Sequence, residues 1–117
     1  MTDLIRRIIA VESSGNSHSI GDTKLKNRAY GILQIRKPCL DDVNRANGTS
    51  YKPSDMLGNI ELSIWLFEQY MKLYATEKRI GRPATDEDMA RIWCSGPLGF
   101  KKEASLKYWN KVKNVVL

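Results

Sequence analysis

The sequence has no run of apolar residues approaching the roughly 18 that a membrane span needs, so a soluble chain without membrane insertion is expected. Cysteine is scarce, with Cys39 and Cys94 the only two. Neither sits at metal-ligand spacing, and a disulfide framework needs more. Buried free thiols are the expectation, and a pair brought together by the fold stays open. Histidine is scarcer still: His18 stands alone, with no Cys or acidic cluster near it, so no metal is expected. Gly15 and Gly21 do not form a phosphate loop, and no cofactor is expected. No repeat, low-complexity tract or linker divides the chain. The start also lacks a signal peptide, since Met1-Thr2-Asp3 opens on an acid and Arg6-Arg7 break the apolar residues that follow. If Met1 is the natural start, cytoplasmic synthesis and another route of exit are expected; a trimmed chain would look the same.

Acid is in short supply relative to base. Nineteen Lys and Arg face 13 Asp and Glu, a net charge of +6. Such a balance favours polyanions: nucleic acid, anionic membrane surfaces or bacterial cell wall. The late stretch "FKKEASLKYWNKVKN" reads equally as a solvated basic helix face. With 117 residues and 42% hydrophobic content, the chain fits one globular domain, residues 1–117, with one core.

Periodicity makes it mainly α. A first helix is expected over Asp3–Ser13, with Thr2 as N-cap and Gly15 as the stop; Leu4, Ile5, Ile8 and Ile9 form its apolar stripe. Ser17 to Ile35 is polar and Gly-rich, an irregular loop or small β-hairpin ending in "AYGILQI". Pro38 near its start and Gly48 after it bracket a short second helix. "YKPSD" reads as a connection, and the longest helix is expected from about Leu57 to Arg79, ended by Gly81 and Pro83. Thr85 and Asp88 form a capping box opening the next helix. A last helix, about Lys101 to Val112, is expected to turn Leu106, Trp109 and Val112 inward. The expected architecture is about five helices with a small irregular or β-hairpin insert after the first.

One residue breaks the first stripe. Glu12 falls where the apolar face of the helix should continue, and "ESSGN" ends the helix directly after it. A carboxylate there loses hydration, which disfavours its charged form and raises its pKa. A group so placed can stay protonated near neutral pH and act as a general acid. The alternative is that Glu12 rotates out to solvent or bonds neighbouring amides. Ten positions on, Asp22 in "IGD" supplies a second carboxylate in a polar loop, and such a pair suits cleavage of a glycosidic bond. Equally, Asp22 can serve a turn after Gly21. Tyr30 can line a sugar subsite by stacking or pack half-buried.

"AVESSGN", "GD", "AYGILQI", "DVN", "ARIWCSGP" and "KYW", in that order and over nearly the whole chain, resemble the lysozyme-like superfamily. The resemblance is to its small phage-type and bacterial members, related to soluble lytic transglycosylases and goose-type lysozymes. It implies a lysozyme-like α+β fold and cleavage of the β-1,4 bond between N-acetylmuramic acid and N-acetylglucosamine in peptidoglycan. Glu12, in an E-S-x-G context, matches the family's catalytic acid, and Asp22 becomes the candidate second carboxylate. Gly31-Ile32-Leu33-Gln34-Ile35 matches the motif whose tight backbone and Gln amide shape the glycan cleft. Ser13, Tyr30, Gly31, Gln34, Cys94, Ser95 and Gly96 are the candidate substrate-binding residues. "LGNIELSIWLF" (Asn59, Ile60, Ser63, Leu66) also resembles a family segment and reads as core packing. One departure stands out. Relatives usually carry an Asn before the Gly-Pro of the late motif, whereas Trp93-Cys94-Ser95-Gly96-Pro97 has Cys94, a weak donor and acceptor.

The implied partner is the peptidoglycan glycan strand, met by a monomer that does not bind nucleic acid. The resemblance allows a hydrolase, with water completing the reaction, or a lytic transglycosylase, in which Glu12 returns as base and the muramoyl 6-hydroxyl closes a 1,6-anhydro ring. Asp22 tilts slightly toward hydrolysis. The family also implies action in the wall or periplasm, as by a phage lysin released by a holin or carried in a virion. Two other readings remain: a wall-binding protein on the same fold that has lost catalysis, marked by Cys94, and a small basic helical nucleic-acid binder, for which no recognition motif is present.

Overall fold

A computed structural model describes all residues from Met1 to Leu117. Six α-helices run along the chain: α1 Asp3–Ser13, α2 Lys37–Asn47, α3 Ile60–Tyr74, α4 Glu77–Ile80, α5 Asp86–Ser95 and α6 Leu106–Lys113. Between α1 and α2 lies one antiparallel pair, β1 Ile20–Gly21 and β2 Ala29–Tyr30, with Ile20 opposite Tyr30 and Gly21 opposite Ala29. Short 3₁₀ turns cover Pro53–Met56, Gly99–Lys101 and Glu103–Ser105.

The first helix forms as its sequence predicts. Thr2 accepts a hydrogen bond from the Ile5 amide, which satisfies one of the free donors of the first turn. The stripe Leu4, Ile5, Ile8 and Ile9 is buried, each side chain contributing about 1.5–3 kcal/mol by leaving water. The stop comes one residue earlier than Gly15. Ser14 itself takes the left-handed conformation (φ 53°), and Gly15 follows it there (φ 85°). The second helix is capped by left-handed Gly48, as expected of an αL terminator.

The expected helix from Leu57 to Arg79 is shorter and divided. Gly58 has a positive φ, and the Asn59 side chain accepts from the Leu62 amide, so α3 begins at Ile60. At the other end Thr76 caps a new start by accepting from the Arg79 amide, and α4 runs only four residues. Both breaks are local capping events that compete with an uninterrupted apolar period. The "YKPSD" connection partly coils into the 3₁₀ turn that buries Met56. The last helix starts at Leu106 rather than Lys101, because two 3₁₀ turns fill the interval. Leu106 consequently stays 40% exposed, not inward, whereas Val112 is fully buried.

Seventeen buried residues from α1, the segment from Ile32 through α2, the Pro53–Met56 turn, α3, α5 and α6 form the core. The capping box at α5 forms in full, and Asp88, only 2% exposed, accepts from the Thr85 amide and hydroxyl and from the Arg82 guanidinium. Helices α1, α5 and α6 pack together, which sets the end of α1 against the inner faces of α5 and α6.

Candidate functional site

The apolar stripe of α1 carries Glu12 to the edge of the core, and the left-handed Ser14 and Gly15 turn the chain away directly afterwards. Ser13 fixes this end. Its Oγ donates to the Ile32 carbonyl at 2.7 Å, tying the helix terminus to the Gly31–Ile35 segment. The side chain of Glu12 therefore enters a cleft of about 250 Å³, lined also by Gln34, Ile35, Arg36, Cys39, Tyr70, Trp93, Cys94 and Tyr108. Glu12 is the only carboxylate on its wall.

Burial is the largest influence on Glu12 and raises its pKa above the ordinary 4.5. Two weaker influences pull the other way: the hydroxyl of Tyr108, which donates to Oε2 at 3.0 Å, and the positive charge of Arg36. Burial prevails, so the carboxyl keeps its proton to higher pH than an exposed glutamic acid does. Because Tyr108 engages Oε2, Oε1 is left for a reacting group. Tyr108 is held un-ionised by burial and by the neighbouring Glu12, so it acts as a donor throughout the neutral range.

Asp22 lies outside this wall. It takes a left-handed backbone (φ 53°) at the end of β1 and pairs with the Nη2 of Arg36, both side chains about two-fifths exposed. Arg36 links the pieces: it faces Glu12, holds Asp22, and donates through Nη1 to the Asn27 carbonyl at 3.0 Å. Asp22 thus reaches the cleft through Arg36.

Gln34 lines the cleft, but its amide nitrogen is committed to bracing the hairpin, donating to the Ser19 carbonyl at 3.2 Å and the Gly31 carbonyl at 2.9 Å. It does so from a left-handed backbone (φ 53°). Gly31 is buried with φ 82°, and a Cβ there would stand 2.8 Å from the Met56 carbonyl oxygen; only glycine fits. Both residues therefore shape the cleft from behind. Tyr30 faces a second cavity of about 330 Å³, whose other lining residues are Lys26, Asn27, Arg28, Lys37, Lys52, Pro53 and Ser54.

Cys94 stands on the cleft wall and is exposed, which corrects the expectation that both thiols are buried. Cys39, half-buried at the cleft floor, is pushed up to about 12 chiefly by burial and then by Asp42. The two thiols are free. The Ser95 hydroxyl donates to the Cys94 sulfur at 3.4 Å, and Gly96 ends α5 with φ 86°. Neither Ser95 nor Gly96 lines the cleft.

Reading the residues in order misses Tyr108, Arg36, Trp93, Tyr70 and Cys39 as cleft residues. Tyr108 lies 96 positions from Glu12, and no spacing rule joins residues so far apart. The "KYW" motif that contains it was the available signal.

Residues 1–88 match the family model described as the transglycosylase SLT domain. The match includes Glu12 and Gln34 and stops short of Cys94 and Tyr108. A chain in the crystal structure of Aeromonas hydrophila PliI in complex with Meretrix lusoria lysozyme is similar over 98% of this chain and 89% of that one, with 25% identity and a TM-score of 0.81. The crystal structure of Tapes japonica lysozyme gives the same coverages and TM-score at 23% identity. A third likeness, to inhibitor-bound lysozyme from Meretrix lusoria, has 25% identity and a TM-score of 0.81. No curated protein matches by sequence. The fold is that of the lysozyme-like superfamily, mainly α with a small two-stranded sheet.

Proposed function

The chain belongs to the transglycosylase SLT domain family, and on that premise we propose that it cleaves the β-1,4 bond between N-acetylmuramic acid and N-acetylglucosamine in peptidoglycan as a lytic transglycosylase. The observation that carries this reading is that Glu12 is the cleft's single carboxylate and is biased toward its protonated form.

Glu12 donates its proton to the glycosidic oxygen, and the N-acetylglucosamine leaves with a free 4-hydroxyl. The C1–O bond breaks and positive charge develops at C1 of the muramoyl sugar. Glu12, now a carboxylate, accepts the proton of the muramoyl 6-hydroxyl as that oxygen attacks C1. The 1,6-anhydro ring closes, Glu12 is protonated again, and no water is consumed. One acid serving in both directions works best with a pKa raised toward working pH; burial pushes Glu12 in that direction and the Tyr108 hydrogen bond opposes it. Tyr108 positions the carboxyl and stabilises its ionised form between the two steps. Arg36 keeps Asp22 occupied, which supports a path without a second carboxylate.

Mass spectrometry of digested muropeptides tests this. Products with 1,6-anhydro ends are expected. Reducing ends would replace the reading by a hydrolase, with Asp22 the first residue to examine, and binding without any cleavage would replace it by a wall-binding protein on the same fold.

A further inference from the structure

The largest cavity lies away from Glu12. It is a groove of about 520 Å³ where the start of α1 meets α3 and α5, and none of its residues lines the Glu12 cleft. Its floor is apolar: Leu4, Phe67 and Met71 are buried, and Met89 is half-buried. The two methionines let that floor adapt to what enters. Its rim is acidic. Asp3, Glu68 and Asp86 stand exposed there against Lys72 alone, on a chain whose net charge is +6. Asp3 has only a surface partner, Arg6 at 3.4 Å, and Glu68 and Asp86 have no ion pair. Like charges around one concavity repel one another, and a cation brought in on an apolar stem relieves that repulsion while covering the floor.

The same chain carries a ridge of the matching chemistry. Helix α6 packs Tyr108, Trp109 and Val112 against the core, which leaves Leu106, Lys107, Asn110, Lys111 and Lys113 exposed on its outer face. Leu106 is 40% exposed, no acid interrupts the face, and none of its lysines has an ion pair. The eight residues of α6 span about 12 Å, and so does the run from Phe67 to Ala75 on the groove's α3 wall. A helix face with an apolar anchor and flanking lysines fits an apolar groove with flanking acids. That face points away from the α1 and α5 helices of its own molecule, so it can enter only another molecule's groove.

We propose that this groove docks the outer face of α6 from a second copy of the chain, with Leu106 seated on the methionine floor and the lysines beside it facing Glu68 and Asp86. The contact joins unlike surfaces, so one copy supplies the groove and the other the ridge. One eight-residue helix face buries less than the ~1,200 Å² of a standard interface, so the association is weak and reversible. At about 0.15 M salt the screening length is about 8 Å, which damps the repulsion between two positively charged copies more than the attraction at the contact. The contact does not depend on the peptidoglycan reading.

Sedimentation velocity of the full chain, from about 10 µM to about 1 mM, tests this. The average mass is expected to climb with concentration above that of one chain. Glu68→Lys with Asp86→Lys closes the groove, and Leu106→Ser with Lys107→Gln and Lys111→Gln blunts the ridge. Either set alone is expected to weaken self-association at least about tenfold. Glu68→Gln with Asp86→Asn repeats the groove test with less disturbance of the first turn of α5. Mixing the groove variant with the ridge variant leaves one intact groove and one intact ridge, so one-to-one dimers form and nothing larger. Wild type that stays at the mass of one chain throughout overturns the proposal. So does association that survives both groove variants, or a mixture that forms no dimer.

Discussion

The phenolic oxygen of Tyr108 in α6 sits 3.0 Å from Oε2 of Glu12 in α1, so the cleft's acid is held by a residue 96 positions away. This bond lowers the pKa of Glu12 against the larger upward push of burial. The proposed mechanism starts from the protonated acid, so activity is expected to fall as pH rises through a value above 4.5. Tyr108→Phe removes a lowering influence, and the alkaline limb of kcat/KM is expected to move to higher pH while kcat falls. A limb that stays in place or moves to lower pH would refute the pairing.

Ionised Glu12 also costs stability. Its folded-state pKa lies above the unfolded value, so ionising it opposes folding. The stabilisation is complete below about 4.5 and is lost as pH rises through the folded-state value. Glu12→Gln removes the penalty of a buried charge. The variant is expected to melt higher than wild type at pH 7 and to lose that advantage below pH 4.5, with turnover reduced at least about 100-fold. Thermal melts at both pH values, paired with muropeptide release, check this.

Asp22 and Arg36 separate the two chemistries. If Glu12 works alone, Asp22→Asn only frees Arg36, and the rate falls by less than about tenfold, the scale of a lost surface ion pair. A fall as deep as that of Glu12→Gln would make Asp22 a reacting group. Arg36→Gln, which removes a positive charge facing Glu12, is expected to shift the alkaline limb upward, like Tyr108→Phe.

The thiols differ by exposure. Cys94 is exposed on the cleft wall, whereas burial pushes Cys39 up to about 12. A disulfide reagent is therefore expected to titrate one thiol quickly and one slowly in the folded protein, since the thiolate is the nucleophile. Loss of activity should follow the fast reaction, and Cys94→Ser should abolish that inhibition.

Asp88 anchors the start of α5. Burial works against its charge, but the hydrogen bonds from Arg82 and Thr85 prevail and hold its carboxyl below the ordinary 3.8. Its stabilisation is thus present above pH 3.8 and lost as pH falls through the folded-state value. Asp88→Asn is expected to cost about 1–3 kcal/mol at pH 7, and the gap between variant and wild-type melting temperatures should narrow under acid.

Much of the fold was legible because short-range rules govern it. The stripe and N-cap of α1, Pro38 and Gly48 around α2, and the Thr85–Asp88 box each involve residues within a turn or two of one another. The division of α3 from α4 was missed because Asn59 and Thr76 act as caps inside an apolar period that never lapses. At the site, Glu12 was legible as an acid out of place on an apolar face. Tyr108 and Arg36 were not, because only tertiary packing brings them to it. Gln34 was found as a motif, but the direction of its amide, back into the hairpin, depends on a left-handed backbone that no Gln announces.

Placing the acid in α1 and its hydroxyl partner in α6, 96 positions later, also orders the assembly of the site during synthesis. Glu12 leaves the ribosome before α6 does, and its carboxyl waits without the Tyr108 hydroxyl until α6 has been made and docked. A nascent or prematurely ended chain therefore carries the acid but not the pocket that tunes it. The tuned carboxyl is complete only once α6 has docked.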